Sequence, residues 1–179
     1  MRKIPTVISV SGLALLISLS ASAQSPLTGK PGAWTHLLFE ENHTGYRENP
    51  LVRVVRASRQ GTFDRVVFQF ERAFPNYRIE YLRSHFYASE DGKHRIRIVG
   101  RLFLKIDLSQ IAFEEKQIAF SKAKGFYPTG RFGFPTLMAM EDMGVDEGHD
   151  EFLLGLSSRK PFRVTELANP FRLVIDIRH

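Results

Sequence analysis

From Leu51 to Ile177 apolar side chains recur at every second position, the period of a strand with one face buried. Residues 51–57 form the first such run. After a turn at 58–61, residues 63–70 form the second, with Val66, Phe68 and Phe70 on one face and Arg65, Val67 and Gln69 on the other. Pro75 and Asn76 interrupt the pattern, residues 77–82 resume it, and Asp91-Gly92 turns the chain into a further run at 95–99. In residues 102–108 every even position is aliphatic, which assigns Leu102, Leu104, Ile106 and Leu108 to a buried face. The chain closes on two alternating runs, 162–166 and 172–177, joined by residues 167–170 with the turn signal Asn169-Pro170. This pattern places Phe162, Val164, Leu173, Ile175 and Ile177 in the core.

The middle of the chain is less regular. Residues 111–120 carry the pattern of one more strand, whereas 122–135 are rich in glycine and proline and read as a long surface loop suited to a binding rim. The apolar residues of 136–143 fit both helical and strand periods; the turn at 146–148 and the run Phe152-Leu153-Leu154 favour a hairpin. About eight to ten short strands without a long helix predict an all-β fold, either an antiparallel β-sandwich or a flattened barrel.

Ahead of the alternating region the pattern changes twice. Met1-Arg2-Lys3, the apolar run from Ile4 to Leu19 and the small-residue motif Ala21-Ser22-Ala23 have the three parts of a secretory signal peptide, with cleavage expected after Ala23. Residues 24–50 contain Pro26, Gly29, Pro31, Gly32, Gly45 and Pro50 and read as a flexible leader; its one apolar island, Trp34-Thr35-His36-Leu37-Leu38-Phe39, is expected either to dock on the core as a short element or to stay mobile. The expected organisation is a signal peptide at 1–23, the leader at 24–50 and one β-domain at 51–179.

Composition narrows the setting. The chain has no cysteine, which excludes disulfides, thiolate metal sites and lipid attachment through cysteine. It points to a protein exported to the periplasm or beyond, without a membrane span after cleavage. Losing Arg2 and Lys3 with the signal lowers the formal charge from +6 to +4, and arginine dominates what remains. Arginine favours planar, bidentate contacts to carboxylate and phosphate, so the partner this composition suggests is an anionic envelope polymer, against the plainer reading that a mild +4 keeps the protein soluble.

Candidate chemistry is sparse. His36, Glu40, Glu41 and His43 lack the convergent arrangement a catalytic metal needs, and Asp146, Glu147, His149 and Asp150 lack the alternate ligand spacing of a calcium loop. No G-x-S-x-G elbow and no phosphate-binding glycine loop occurs, so neither a metal nor a nucleotide cofactor is expected. No pair of acids stands out for glycoside hydrolysis. Arg95-Ile96-Arg97 and Phe162-Arg163 interleave base and apolar residue as oligonucleotide-binding sheets do, but an exported chain does not meet nucleic acid as its partner. What remains is arginine on outward strand positions: Arg53, Arg65, Arg78, Arg95, Arg97, Arg163 and Arg172. Of these, Arg65, Arg95, Arg97 and Arg163 are the candidate ligand-binding residues, and cross-strand pairing with Asp64, Glu80, Asp107 and Asp176 is the competing, structural role.

Residues 61–70, residues 75–81 and the closing stretch from Gly155 through Arg159-Lys160-Pro161-Phe162-Arg163-Val164 to Ile177 resemble the AMIN-like domain of exported bacterial proteins. The resemblance extends over residues 51–177. It implies a β-sandwich related to the AMIN domain, a non-catalytic module that localises cell-wall amidases or secretins by binding peptidoglycan or envelope partners. The chain carries no amidase or secretin portion, so such a module is expected to act alone or in trans. Two other activities fit an exported chain of this kind: a protein-interaction module pairing through an edge strand, and a wall-degrading hydrolase. Asp64 and Asp176, both inside the resembling motifs, are expected to serve turns or strand pairing.

Overall fold

A computed structural model describes residues 31–82, 87–88, 95–96, 98–112 and 130–179. Twelve strands occur among them: β1 (Phe39–Glu41), β2 (Leu51–Arg59), β3 (Phe63–Glu71), β4 (Asn76–Leu82), β5 (Tyr87–Ala88), β6 (Arg95–Ile96), β7 (Leu102–Ser109), β8 (Gly130–Arg131), β9 (Leu137–Asp146), β10 (His149–Leu156), β11 (Phe162–Leu167) and β12 (Phe171–Arg178). Every pairing is antiparallel. Six strands form one sheet in the order β1-β4-β7-β10-β9-β8, four form a second in the order β11-β12-β3-β2, and β5-β6 form a small hairpin. The two main sheets are separate rather than closed into a barrel, so the fold is the β-sandwich of the two architectures expected from the alternation.

The period-two pattern dictates which face each residue joins. Val66, Phe68 and Phe70 of β3 and Leu173, Ile175 and Ile177 of β12 meet Ile79 of β4, Leu104, Ile106 and Leu108 of β7, and Phe152, Leu154 and Leu156 of β10 in one core. Phe68 meets Phe152 edge-on across the layers at 4.9 Å between ring centroids, and Tyr81 meets Phe162 likewise at 6.0 Å. Burying each such ring stabilises by about 2–3 kcal/mol. The hairpin reading of 136–156 holds: β9 and β10 pair along their length around a turn at Glu147-Gly148, with bulges that explain why β9 lacks a clean alternation.

Two features lie outside the alternation rule. Asp64 shares the inward parity of Val66 and is fully buried, its Oδ2 accepting the backbone N–H groups of Thr136 and Leu137 at 2.8 and 2.7 Å and its Oδ1 meeting His179 Nε2 at 2.9 Å. This carboxylate ties β3 in one sheet to the first residue of β9 in the other. On the outer side of the six-stranded sheet, Ile98 and Val99 lie over Phe103, Ala139 and Leu153 as a second apolar cluster.

The leader departs from expectation in part: its apolar island docks as a short element, one of the two alternatives, and the contacts extend beyond that island. Composition predicts a flexible tether over 24–50, whereas residues 32–46 are bound to both sheets. Gly32 N–H donates to Val164 O at 2.9 Å, Thr35 and Phe162 exchange backbone hydrogen bonds, and β1 adds to β4 with Phe39 opposite Ile79. A Cβ on Gly32 would stand 2.4 Å from Val164 O, so only glycine permits this approach. The physical reason is edge pairing: β11 and β4 each present backbone groups that the strap satisfies. Residues 113–120 and most of the 122–135 loop fall outside the described residues; 130–135 lead through β8 into β9.

The strap ends in a polar contact between the sheets. His43 Nε2 lies 2.8 Å from Glu166 Oε1 on β11, and the Tyr77 hydroxyl of β4 donates to the same oxygen at 3.0 Å. Burial, and next the Glu166 carboxylate, push the Tyr77 phenol well above its ordinary value; burial does the same to Tyr81. The fold therefore favours the neutral phenols, and that stability is complete below pH ~10, where unfolded tyrosine titrates, and is lost as pH rises beyond it. Urea midpoints taken across this range should fall with pH, and Tyr77→Phe should flatten the decline by about 1.4 kcal/mol per pH unit, one proton's worth. An unchanged slope would show that Tyr77 ionises as freely in the fold as in the unfolded chain.

Candidate ligand-binding face

The outward side of the four-stranded sheet is set by the same alternation that builds the core. Strand register places Arg163 of β11, Asp176 of β12 and Arg65 of β3 directly opposite one another, in one row across three strands. Asp176 is the hub. Its Oδ1 accepts Arg65 Nε at 2.6 Å; its Oδ2 accepts Arg65 Nη2 at 2.9 Å and Arg163 Nε at 2.9 Å, with Arg163 Nη2 at 2.8 Å. The side chains of Asp176, Arg65 and Arg163 are only 2, 13 and 20 % exposed, so these are charge-assisted bonds shielded from water rather than surface pairs.

Aromatic rings complete the group. The Arg163 guanidinium lies over the Trp34 ring at 4.5 Å from its centroid and over Phe63 at 5.2 Å; Arg65 lies over Phe63 at 5.1 Å, and Arg178 over Trp34 at 4.7 Å. Trp34 and Phe63 are themselves 6.3 Å apart. Guanidinium planes held against ring faces keep at the edge those in-plane N–H groups that do not serve Asp176. The group holds three arginines and one carboxylate, so it carries a positive excess, with Arg65 and Arg163 fixed in orientation by Asp176 and Arg178 held over Trp34. It can grip a carboxylate or phosphate through guanidinium edges while the rings offer an apolar surface beside it.

Of the candidate arginines, Arg65 and Arg163 come together on this face. Arg97 and the side chain of Arg95 lie outside what the structure describes. Arg172 shares the face, since it has the parity of Asp176 on β12. Arg53 and Arg78 do not join it: Arg53 pairs with Glu71, and Arg78 on the other sheet with Glu80 and Glu40. That other sheet's outer side is a mixed ladder, with Lys105 2.6 Å from Glu151 and His149 3.0 Å from Asp107. Sequence reading missed Trp34, Phe63 and Arg178 as members of the site. The signal available was the parity of Phe63 with Arg65; Trp34 arrives from the strap and had none. Among the described residues no group of three or more His, Cys, Asp or Glu is placed to hold a metal, and no helix is long and apolar enough to cross a membrane.

Comparison with known families gives one match, to the AMIN-like domain over residues 50–179, most of the chain. The chain belongs to the AMIN-like domain family. Its β-sandwich and the motif residues of β3, β11 and β12 fit that membership. AMIN-like domains are generally non-catalytic binding modules of the exported bacterial envelope. No curated protein and no solved structure matches the chain.

Proposed function

We propose that this AMIN-like domain is exported by cleavage of residues 1–23 and binds peptidoglycan through the outer face of its four-stranded sheet, without catalysing a reaction on it. The observation that carries the proposal is the Arg163-Asp176-Arg65 row stacked on Trp34 and Phe63. A buried carboxylate that orients two guanidiniums fixes a receptor for planar anions, and peptidoglycan offers carboxylates on its peptide stems beside sugar faces that pack on aromatic rings. Arg178 is the natural third contact because it is exposed and stacks on Trp34 without contributing to the Asp176 bonds.

Co-sedimentation with purified sacculi tests this. The unmodified domain should pellet, less so as salt is raised, because Arg178 meets the ligand from an exposed position where added ions screen the contact. Arg178→Glu and Trp34→Ala should each weaken binding by about ten-fold, the equivalent of one lost charge-assisted contact at ~1.4 kcal/mol. An Arg95→Glu/Arg97→Glu variant examines the remaining candidates. Retention of the unmodified domain in the supernatant defeats the proposal, and so does release of soluble wall fragments by the pure protein.

A further inference from the structure

At the opposite end of the sandwich from Trp34 lies a second constructed site, and its occupant is part of the chain. The His43 imidazole sits among three rings, stacked on Phe74 at 5.5 Å between centroids and tilted against Tyr77 at 6.1 Å and Tyr46 at 6.3 Å. The Glu166 carboxylate closes the fourth side, 2.8 Å from Nε2. Rings around one carboxylate are the recognition chemistry of an organic cation, with the ring faces attracting the charge and the carboxylate neutralising it.

Three walls of this cage stand without the strap. Tyr77 is buried on β4, Phe74 packs edge-on against Phe171 at 5.1 Å, and Glu166 is held on β11 by the Tyr77 hydroxyl at 3.0 Å. The strap supplies only the occupant and Tyr46. Residues 42–46 form no strand, and His43 is fixed there by its ring and by one backbone bond, N–H to Asn76 Oδ1 at 2.6 Å. The site also opens to solvent: Glu166 and His43 side chains keep 30 and 18 % of their surface exposed. If the strap were withdrawn, Glu166 would remain partly buried beside the Phe74 and Tyr77 rings with the Tyr77 hydroxyl as its remaining contact here, an arrangement that favours refilling.

The geometry points to a cation-binding cage formed by Phe74, Tyr77, Tyr46 and Glu166, which His43 fills as an internal ligand and which accepts an alkylammonium group from a partner peptide when His43 is displaced. The occupant in the structure is a side chain carried on the chain two residues past β1, which points to a cationic side chain presented on a peptide rather than a free ion as the ligand. This site is separate from the arginine face and takes the opposite charge, so its test is independent of peptidoglycan binding.

Two arms decide it. In the first, His43→Lys and His43→Leu are compared in thermal melts of the full chain. A cation cage tolerates lysine better than leucine of similar bulk, so His43→Lys should melt several degrees higher; the reverse order, the signature of plain apolar packing, overturns the proposal. In the second, His43→Ala is titrated with Nα-acetyl-lysine amide. At ten times its Kd the probe should raise Tm by roughly 4 °C, while the neutral Nα-acetyl-norleucine amide and the His43→Ala/Glu166→Gln variant show no saturable rise. Equal response to both amides overturns the cage, and if His43→Ala does not fold, the lysine-leucine order stands as the deciding result.

Discussion

Asp176→Ala should destabilise the domain by about 3–5 kcal/mol, far more than removal of an exposed ion pair. The carboxylate is 2 % exposed and accepts hydrogen bonds from both Arg65 and Arg163, whose own side chains are mostly covered. Taking it away leaves two like charges facing each other across β12 with little water to screen them. The cost belongs to the orphaned arginines and not to the net worth of the ion pairs. Replacing all three together, as Asp176→Leu with Arg65→Met and Arg163→Leu, should therefore recover most of the lost stability while leaving no anion receptor. Urea unfolding of the single and triple variants checks this. A loss below about 1 kcal/mol for Asp176→Ala would place the row among ordinary surface pairs.

Gly155→Ala should cost about 3 kcal/mol or more, through backbone and not side-chain crowding. Val99 and Gly100 cross β10 so closely that a Cβ on Gly155 would stand 1.9 Å from Val99 O, and one on Gly100 would stand 2.8 Å from Gly155 Cα. No rotamer relieves an overlap with backbone, so residues 98–100 must lift. Lifting them uncovers Ile98, Phe103, Ala139 and Leu153, the apolar cluster on the outer side of the six-stranded sheet. Gly133→Ala is the matching control: its Cβ would meet nothing within 4 Å, and its effect should stay within about 0.5 kcal/mol. Equal midpoints for the two alanine variants would mean that the 98–100 crossing does not bear on stability.

The parts of this molecule that could be read from its sequence are those determined by neighbours two residues apart. Phe63 to Phe70 and Arg172 to Ile177 alternate so regularly that strand, buried face and outward arginines follow together, and the observed cores and registers agree. What could not be read depends on partners far along the chain. Arg65 and Asp176 are 111 positions apart, and nothing local to either shows that Asp176 will serve Arg163 as well. Asp64 has the inward parity of Val66, yet nothing local shows that Thr136 and Leu137 will bring it their N–H groups. The strap was legible only in part, for a different reason. Its glycines and prolines suggest flexibility, but Gly32 is there because the Val164 carbonyl leaves no room for a Cβ, so the composition of a tether records a tight fit. Trp34 and His43 take their significance from where that strap runs, one to each constructed site.

Trp34 also offers the most direct test of the central claim, because it is the only tryptophan in the chain and lies within the proposed receptor. Its fluorescence should change saturably as soluble peptidoglycan fragments are added, and the titration should move to about ten-fold higher concentration in Arg178→Glu, which removes one of the two guanidiniums over the ring while sparing the Asp176 bonds. A spectrum that stays constant while the protein still pellets with sacculi would contradict the account, since it would place binding on some other surface of the sandwich.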